Sequence, residues 1–336
     1  MKLLIIGCGS IGQRHIRNTS DKCIVGVFDS DLVKTNKLKY EFRDLTVFDD
    51  FQESLAWKPQ AILIATPPET HIPISFAVID HCRYLLIEKP VSHSMANVHE
   101  LLNLAKAKSV QVGVVSNMRF HPAINLLKKN LTKLGKPLFS RAYFGNYLPN
   151  MRPEADYRSL YVAKAQSGGI VLDCIHEIDY LQWFFGKASV ETLVQGKLSE
   201  LDIEGNDYAT LNLRHVTNVR SELHLDYLQV VKRRGCELIG DKGILIWESV
   251  GKIPEHCSVR FYDLSSMQWS VLYEEPKVDV NYPYQQMMRE FIIAVTNRVD
   301  LSMTKISTLE DGISALSTSL SKMPNNCMVQ GVFNEI

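Results

Sequence analysis

The sequence has no excess of either charge, no long apolar run and no paired cysteines. Its 37 basic side chains balance 37 acidic ones, so no field attracts a polyanion and nucleic acid is set aside as a partner. Seven scattered cysteines, an odd number, make neither a disulfide framework nor a C-x-x-C ligand set, and no metal is expected. A reducing compartment, with thiols as small core residues, fits this usage. Only four apolar residues, Leu3 to Ile6, separate Met1-Lys2 from Gly7. That is too few for a signal-peptide core, and no later run reaches the roughly 20 residues of a membrane span. The reading is a cytoplasmic protein without membrane contact. The 336 residues are long for one core and suit two domains, with no repeat or linker-like tract between them.

The first third alternates two kinds of segment. Short apolar runs at 3–6, 23–28, 61–65, 84–87 and 110–115 read as strands, and 12–18, 31–42, 70–81 and 95–108 as helices. Such alternation predicts a doubly wound parallel sheet. After about residue 120 the rhythm changes. A helix at 122–134 precedes consecutive strand-like runs at 138–144, 190–197, 208–214, 219–226, 236–239 and 243–248, and helices at 284–296 and 308–320 close the chain. The fold class expected is α/β: a Rossmann domain at 1–120, then an α+β domain at 121–336 with an open, mostly antiparallel sheet.

Gly7-Cys8-Gly9-Ser10-Ile11-Gly12 follows the first strand and opens the first helix. This is the context in which G-x-G-x-x-G binds a dinucleotide. Gly7 permits the tight turn, Gly9 lets the backbone approach a pyrophosphate, and Gly12 lets helix pack on strand, while Ser10 and Ile11 carry helix N-terminal N–H groups. Asp29 ends the second strand, seventeen positions beyond Gly12 and near the usual spacing of about 20 for the carboxylate that holds the adenosine ribose. It favours NAD over NADP; alternatively it is a turn residue capping the next helix.

Three further stretches stand in order along the chain: Ala65-Thr66-Pro67-Pro68-Glu69-Thr70-His71, Glu88-Lys89-Pro90 and Gly168-Gly169-Ile170-Val171-Leu172-Asp173-Cys174-Ile175-His176-Glu177-Ile178-Asp179. With the glycine loop they resemble the Gfo/Idh/MocA family, the glucose-fructose oxidoreductase and inositol dehydrogenase group, over nearly the whole chain. The resemblance implies hydride transfer between NAD(P) and a secondary carbinol or keto carbon of a sugar or cyclitol, and oligomers joined through the sheets. It also implies that Lys89 contacts substrate and nicotinamide, that Thr66, Pro67, His71 and Glu88 lie with the cofactor, and that Asn117, in an interdomain crossing at 117–122, lies near the nicotinamide. Independently of any family, Lys89 follows a parallel strand, at the edge where doubly wound folds bind ligands.

Oxidation of an alcohol needs a base for the hydroxyl proton, and His176 is the candidate. Read as one helix from 170 to 185, the segment clusters Asp173, His176 and Tyr180 within ~60° of arc. Many relatives place the partner aspartate four before the histidine; here Leu172 stands there and Asp173 is three before. Asp173 is therefore either a catalytic partner or a helix-surface carboxylate, and Asp179 an orienting or helix-surface one. The segment 147–161, rich in Arg and Tyr, offers Arg152, Tyr157 and Arg158 as substrate contacts, either closing over the cleft to hold a phosphate or carboxylate or packing locally as an exposed loop. Its pattern resembles a family subgroup of bacterial surface-sugar biosynthesis, which implies a phosphorylated or nucleotide-linked sugar. Lys232-Arg233-Arg234 reads as a solvated hairpin turn. The sheet is expected to join homodimers or homotetramers. Two other functions stay open: a redox-neutral glycosidase or epimerase with tightly held NAD, and a non-catalytic dinucleotide sensor.

Overall fold

The computed structural model describes residues 1–321 except Ser20, Arg43, Arg152, Glu154, 165–168 and Ile253. The first part alternates strictly: Lys2–Ile6 (β1), Ser10–Thr19 (α1), Ile24–Phe28 (β2), Leu32–Glu41 (α2), Thr46–Phe48 (β3), Phe51–Ala56 (α3), Ala61–Ile64 (β4), His71–Val78 (α4), Tyr84–Ile87 (β5), Val98–Lys108 (α5) and Gln111–Val114 (β6). The strands lie side by side as β6-β5-β4-β1-β2-β3, all parallel. Their order reverses between β1 and β4, which opens a crevice at the carboxyl ends of these strands. Because helices cover both faces, β4 is apolar and fully buried along its length, and β1 and β5 nearly so. Local signals set the boundaries: Asp31 accepts the Val33 N–H and starts α2, and Asp50 accepts the Glu53 N–H and starts α3. The sequence reading passes over β3 and α3, which are too short to show a period.

The second part comprises Pro122–Lys129 (α6), Pro137–Gly145 (β7), Leu148–Met151 (α7), Ile170–Asp173 (α8), Ile175–Phe185 (α9), Ala188–Gly196 (β8), Tyr208–His215 (β9), Arg220–Asp226 (β10), Arg233–Gly240 (β11), Gly243–Val250 (β12), His256–Asp263 (β13) and Gln268–Glu275 (β14). The last two strands are absent from the sequence reading. The eight strands form one sheet ordered β14-β13-β12-β11-β7-β10-β9-β8, antiparallel except for β7 beside β10. Period-two alternation sends Ala142, Leu211, Leu223, Leu238, Leu245 and Val259 to a face that is wholly buried under α6, α8 and α9. The other face carries a ladder of ion pairs, Arg141 with Glu222 and Glu237, and Arg260 with Glu248.

Tyr282–Asn297 (α10), Ser307–Thr308 (β15) and Leu309–Ser319 (α11) end the described chain. They correct the expected division at residue 120. Met287, Met288 and Phe291 of α10 share an apolar cluster with Leu3, Ile5 and Leu63, and β15 pairs antiparallel with β6. The late chain thus returns to finish the core and edge of the first sheet. A second correction concerns the basic triplet: Arg233 and Arg234 lie inside β11, not in a turn.

Candidate active site

The glycine loop turns at Gly7, whose φ is +101°. A Cβ there would lie 2.6 Å from the Ala65 carbonyl oxygen, and one on Gly12 would collide with the Gly7 carbonyl. One on Gly9 would meet nothing within 4 Å, so the loop is open toward the crevice where a pyrophosphate would sit. Ser10, Ile11 and Gly12 form the first turn of α1, whose N–H groups have no intrahelical acceptor and favour an anion. Asp29 is held beside this loop: Oδ2 accepts the Cys8 N–H at 2.7 Å and Oδ1 the Asp31 N–H at 2.9 Å. It is Asp31, not Asp29, that caps α2. Across the crevice, the Asn117 amide oxygen is buried without a partner. An anion-binding helix end, an open cradle, a fixed carboxylate and an orphaned amide oxygen fit a dinucleotide.

Two of the residues placed with the cofactor stand behind the crevice. His71 is fully buried, its ring nitrogens 2.8 Å from the Thr66 carbonyl and 2.9 Å from that of Pro90. Burial lowers its pKa, and a neutral ring, with one N–H, donates to only one of the two carbonyls. Thr66 and Pro67 remain at the rim, half-buried and exposed. Glu88 is 5 % exposed and faces inward: Oε1 is 2.7 Å from His15 Nε2, and Oε2 accepts the Lys89 N–H at 3.0 Å. His15 had no part in the sequence reading; its place three residues after Gly12 was the available signal.

Lys89 is the centre of the site. Its ammonium donates to the Asp173 carbonyl at 2.8 Å and to Asp173 Oδ1 at 3.1 Å, and lies 3.4 Å from the Tyr161 hydroxyl. Tyr161 donates to Asp173 Oδ1 at 2.5 Å and Tyr227 to Oδ2 at 3.1 Å. A break in the expected single helix makes this possible. The chain interrupts at Cys174, between α8 and α9, and the Glu177 N–H bonds to the Cys174 carbonyl instead of that of Asp173 four residues back. The freed Asp173 carbonyl accepts the lysine. Burial opposes both charges, but each outweighs that opposition for the other: Lys89 is held well above the usual lysine pKa, and Asp173 below the usual carboxylate value. Asp173 therefore clamps Lys89; among the described residues it has no bond to His176. Neither is it a helix-surface carboxylate, being 8 % exposed. Tyr161 and Tyr227 complete a group that helical periodicity could not reveal.

His176 lies in the first turn of α9 and is 9 % exposed, with Nδ1 buried and unpartnered. Burial, then the positive charges of Lys89 and Arg234, hold its pKa well below the ordinary histidine value. Next to it Glu177, wholly buried, accepts from Arg234 Nε at 2.6 Å. Asp179 is likewise no surface residue. It receives two bonds from Arg119 of the crossing segment, at 2.7 and 2.9 Å.

On the substrate side, Arg152 and Gly168 lie outside the described residues. The Arg158 guanidinium is occupied by Asp156 at 2.9 Å on its own turn, and the Tyr157 hydroxyl accepts the Asp202 N–H at 3.2 Å. The Arg158 side chain is thus engaged within its own turn, and the Tyr157 hydroxyl by a segment 45 residues on. No helix among the described residues is long and apolar enough to cross a membrane.

Comparison with known proteins agrees with this geometry. Residues 1–116 match the family profile described as an oxidoreductase family with an NAD-binding Rossmann fold, and residues 130–246 match the Gfo/Idh/MocA C-terminal domain. An uncharacterised oxidoreductase of Synechocystis is 26% identical over 64% of this chain and 60% of its own length. Inositol 2-dehydrogenase of Burkholderia cenocepacia is 24% identical over 73% of each chain. The WlbA dehydrogenase of Bordetella pertussis, solved with NADH and UDP-GlcNAcA, shares the fold with a TM-score of 0.74 at 18% identity, over 95% of this chain and 94% of that one. With both of its characteristic domains present in order, the chain belongs to the Gfo/Idh/MocA family of NAD-binding oxidoreductases.

Proposed function

We propose that the protein is an NAD-dependent dehydrogenase or reductase acting on a secondary carbinol or keto carbon of a sugar or sugar derivative. One observation carries the reading: a lysine locked in its charged form by Asp173 stands near a histidine held in its neutral form, at the carboxyl edge of a dinucleotide-binding sheet. The bound nicotinamide supplies the hydride acceptor. Lys89, unable to give up its proton readily, serves as a hydrogen-bond donor that steadies charge building on the substrate oxygen. His176, unprotonated at neutral pH, takes the hydroxyl proton. Asp173, Tyr161 and Tyr227 hold the lysine in place. Asp29 favours NAD over NADP, because a 2′-phosphate would meet its carboxylate. These paired, tuned groups have no use in a mere dinucleotide sensor.

The similarity to a UDP-sugar-binding dehydrogenase supports a nucleotide-linked or phosphorylated sugar as one substrate class, beside free cyclitols. The uncovered sheet face, with Trp269 and Val271 exposed beside its ion pairs, supports a homodimer or homotetramer joined there. The test is a screen of cyclitols, sugar phosphates and nucleotide sugars for NADH absorbance. On the substrate found, His176→Ala and Lys89→Met each lower turnover by about 10²–10⁴-fold while NAD still binds. Near-normal turnover in both refutes the assignment; tightly held NAD without net NADH marks a redox-neutral enzyme instead.

A further inference from the structure

We infer that the buried His15–Glu88 pair is a strut linking the dinucleotide loop to the catalytic lysine, and that His15 is a positioning residue of the active site. The inference rests on the NAD site but on no particular substrate. His15 sits in the second turn of α1, three residues past Gly12, and is wholly buried. Its Nε2 lies 2.7 Å from Glu88 Oε1, a contact between α1 and the end of β5 that reaches past β1 and β4 in the sheet order. The second oxygen of the same carboxylate accepts the backbone N–H of Lys89. One carboxylate thus joins the helix whose N-terminus faces the cofactor phosphates to the backbone that carries the reactive ammonium.

The surroundings leave this pair little freedom. The Tyr284 ring of α10 packs edge-on against His15, with centroids 6.0 Å apart, and the Arg14 guanidinium lies 4.8 Å from the Tyr284 ring centre. Glu88 has a side chain only 7% exposed, and a buried carboxylate requires its donors. A displacement of α1 on engaging a pyrophosphate would therefore move Glu88, and with it Lys89, instead of being absorbed by solvent.

Amide hydrogen exchange, read at the Lys89 amide with and without NAD⁺, tests the strut without turnover. In the unmodified protein saturating NAD⁺ slows exchange at this amide by about tenfold. His15→Gln, which keeps an N–H near the position of Nε2, preserves the slowing. His15→Leu abolishes it, although NAD⁺ still binds within about threefold of the normal affinity because the glycine loop and Asp29 are untouched. Glu88→Leu, which removes both contacts of the carboxylate at similar size, also loses the slowing and serves if His15→Leu does not fold. Undiminished slowing in His15→Leu or Glu88→Leu would overturn the strut, as would a His15→Gln protein that behaves like His15→Leu. Failure of NAD⁺ to bind the unmodified protein would sink strut and cofactor site together, whereas failure of every substrate screen would leave this readout intact.

Discussion

Two buried cation–carboxylate pairs flank the broken helix, and they are finished to different degrees. Arg119 and Asp179 have side chains 4% and 5% exposed. All three guanidinium nitrogens are used, two on Asp179 and one on Asp311, and the Trp183 ring lies 5.6 Å from the guanidinium carbon. Lys89 and Asp173, at 19% and 9%, satisfy the carboxylate fully but leave the lysine more open, its third N–H held only by a long, 3.4 Å bond to the Tyr161 hydroxyl. A planar fork bound on every side holds the crossing segment to α9 and α11. A rotatable point charge that can give up its longest bond can meet a substrate. The closed pair suits a structural role, and the open one the reactive role proposed for it.

The largest expected effect separates them by stability. Arg119→Met leaves the Asp179 carboxylate buried without its fork and destabilises by about 3–5 kcal/mol, read as a fall in thermal midpoint. Lys89→Met leaves Asp173 two phenolic donors and lowers the midpoint less. Equal falls would break the comparison.

An effect smaller for each side chain appears on acidification. Burial lowers the pKa of His176, beside the open pair, and of His71, His121 and His215 elsewhere. These rings are neutral when folded but free to protonate when unfolded. The unfolded chain therefore binds more protons below about pH 6.5, and stability is full above that value and declines as pH falls. Each ring contributes up to about 1.4 kcal/mol per pH unit. Asp173, with its pKa lowered in the fold, adds a loss only further down, as pH falls below about 3.9 toward its folded value. Denaturant midpoints between pH 7.5 and 5 check the histidine part; a flat profile contradicts it.

The smallest effect belongs to Tyr161→Phe. It removes one hydroxyl donor to a charged acceptor, worth about 1.5–3 kcal/mol, while Asp173 keeps Lys89 and Tyr227. A loss at the low end of that range in equilibrium unfolding sharpens the distinction between clamp and fork; a loss as large as that of Arg119→Met removes it.

Much of this was legible along the chain. Gly7, Gly9, Gly12 and Asp29 act through backbone shape and spacing within one β-α-β unit, so their sequence order is their geometry. Lys89 was legible because a strand end is a local event. For His71 and Glu88, sequence places a residue at an edge without saying whether its side chain faces the crevice or the protein. Tyr161, Tyr227 and His15 escaped notice as site residues, and Arg234 reads only as part of a turn, because their partners lie 54 to 73 residues away, or, for Tyr161 and Asp173, across a loop.

By itself the sequence determined the alternating sheet, the glycine loop with its carboxylate, the change to antiparallel strands and the family. Each rests on periodicity or short-range spacing, which the backbone converts directly into shape. Only the tertiary structure decided that the helix breaks at Cys174, that Asp173 belongs to Lys89 rather than His176, and that α10 and β15 return to the first sheet. Those outcomes depend on which buried charges find partners when distant segments pack, because an unpaired charge in the interior costs several kcal/mol and a single turn of helix can be given up to satisfy it.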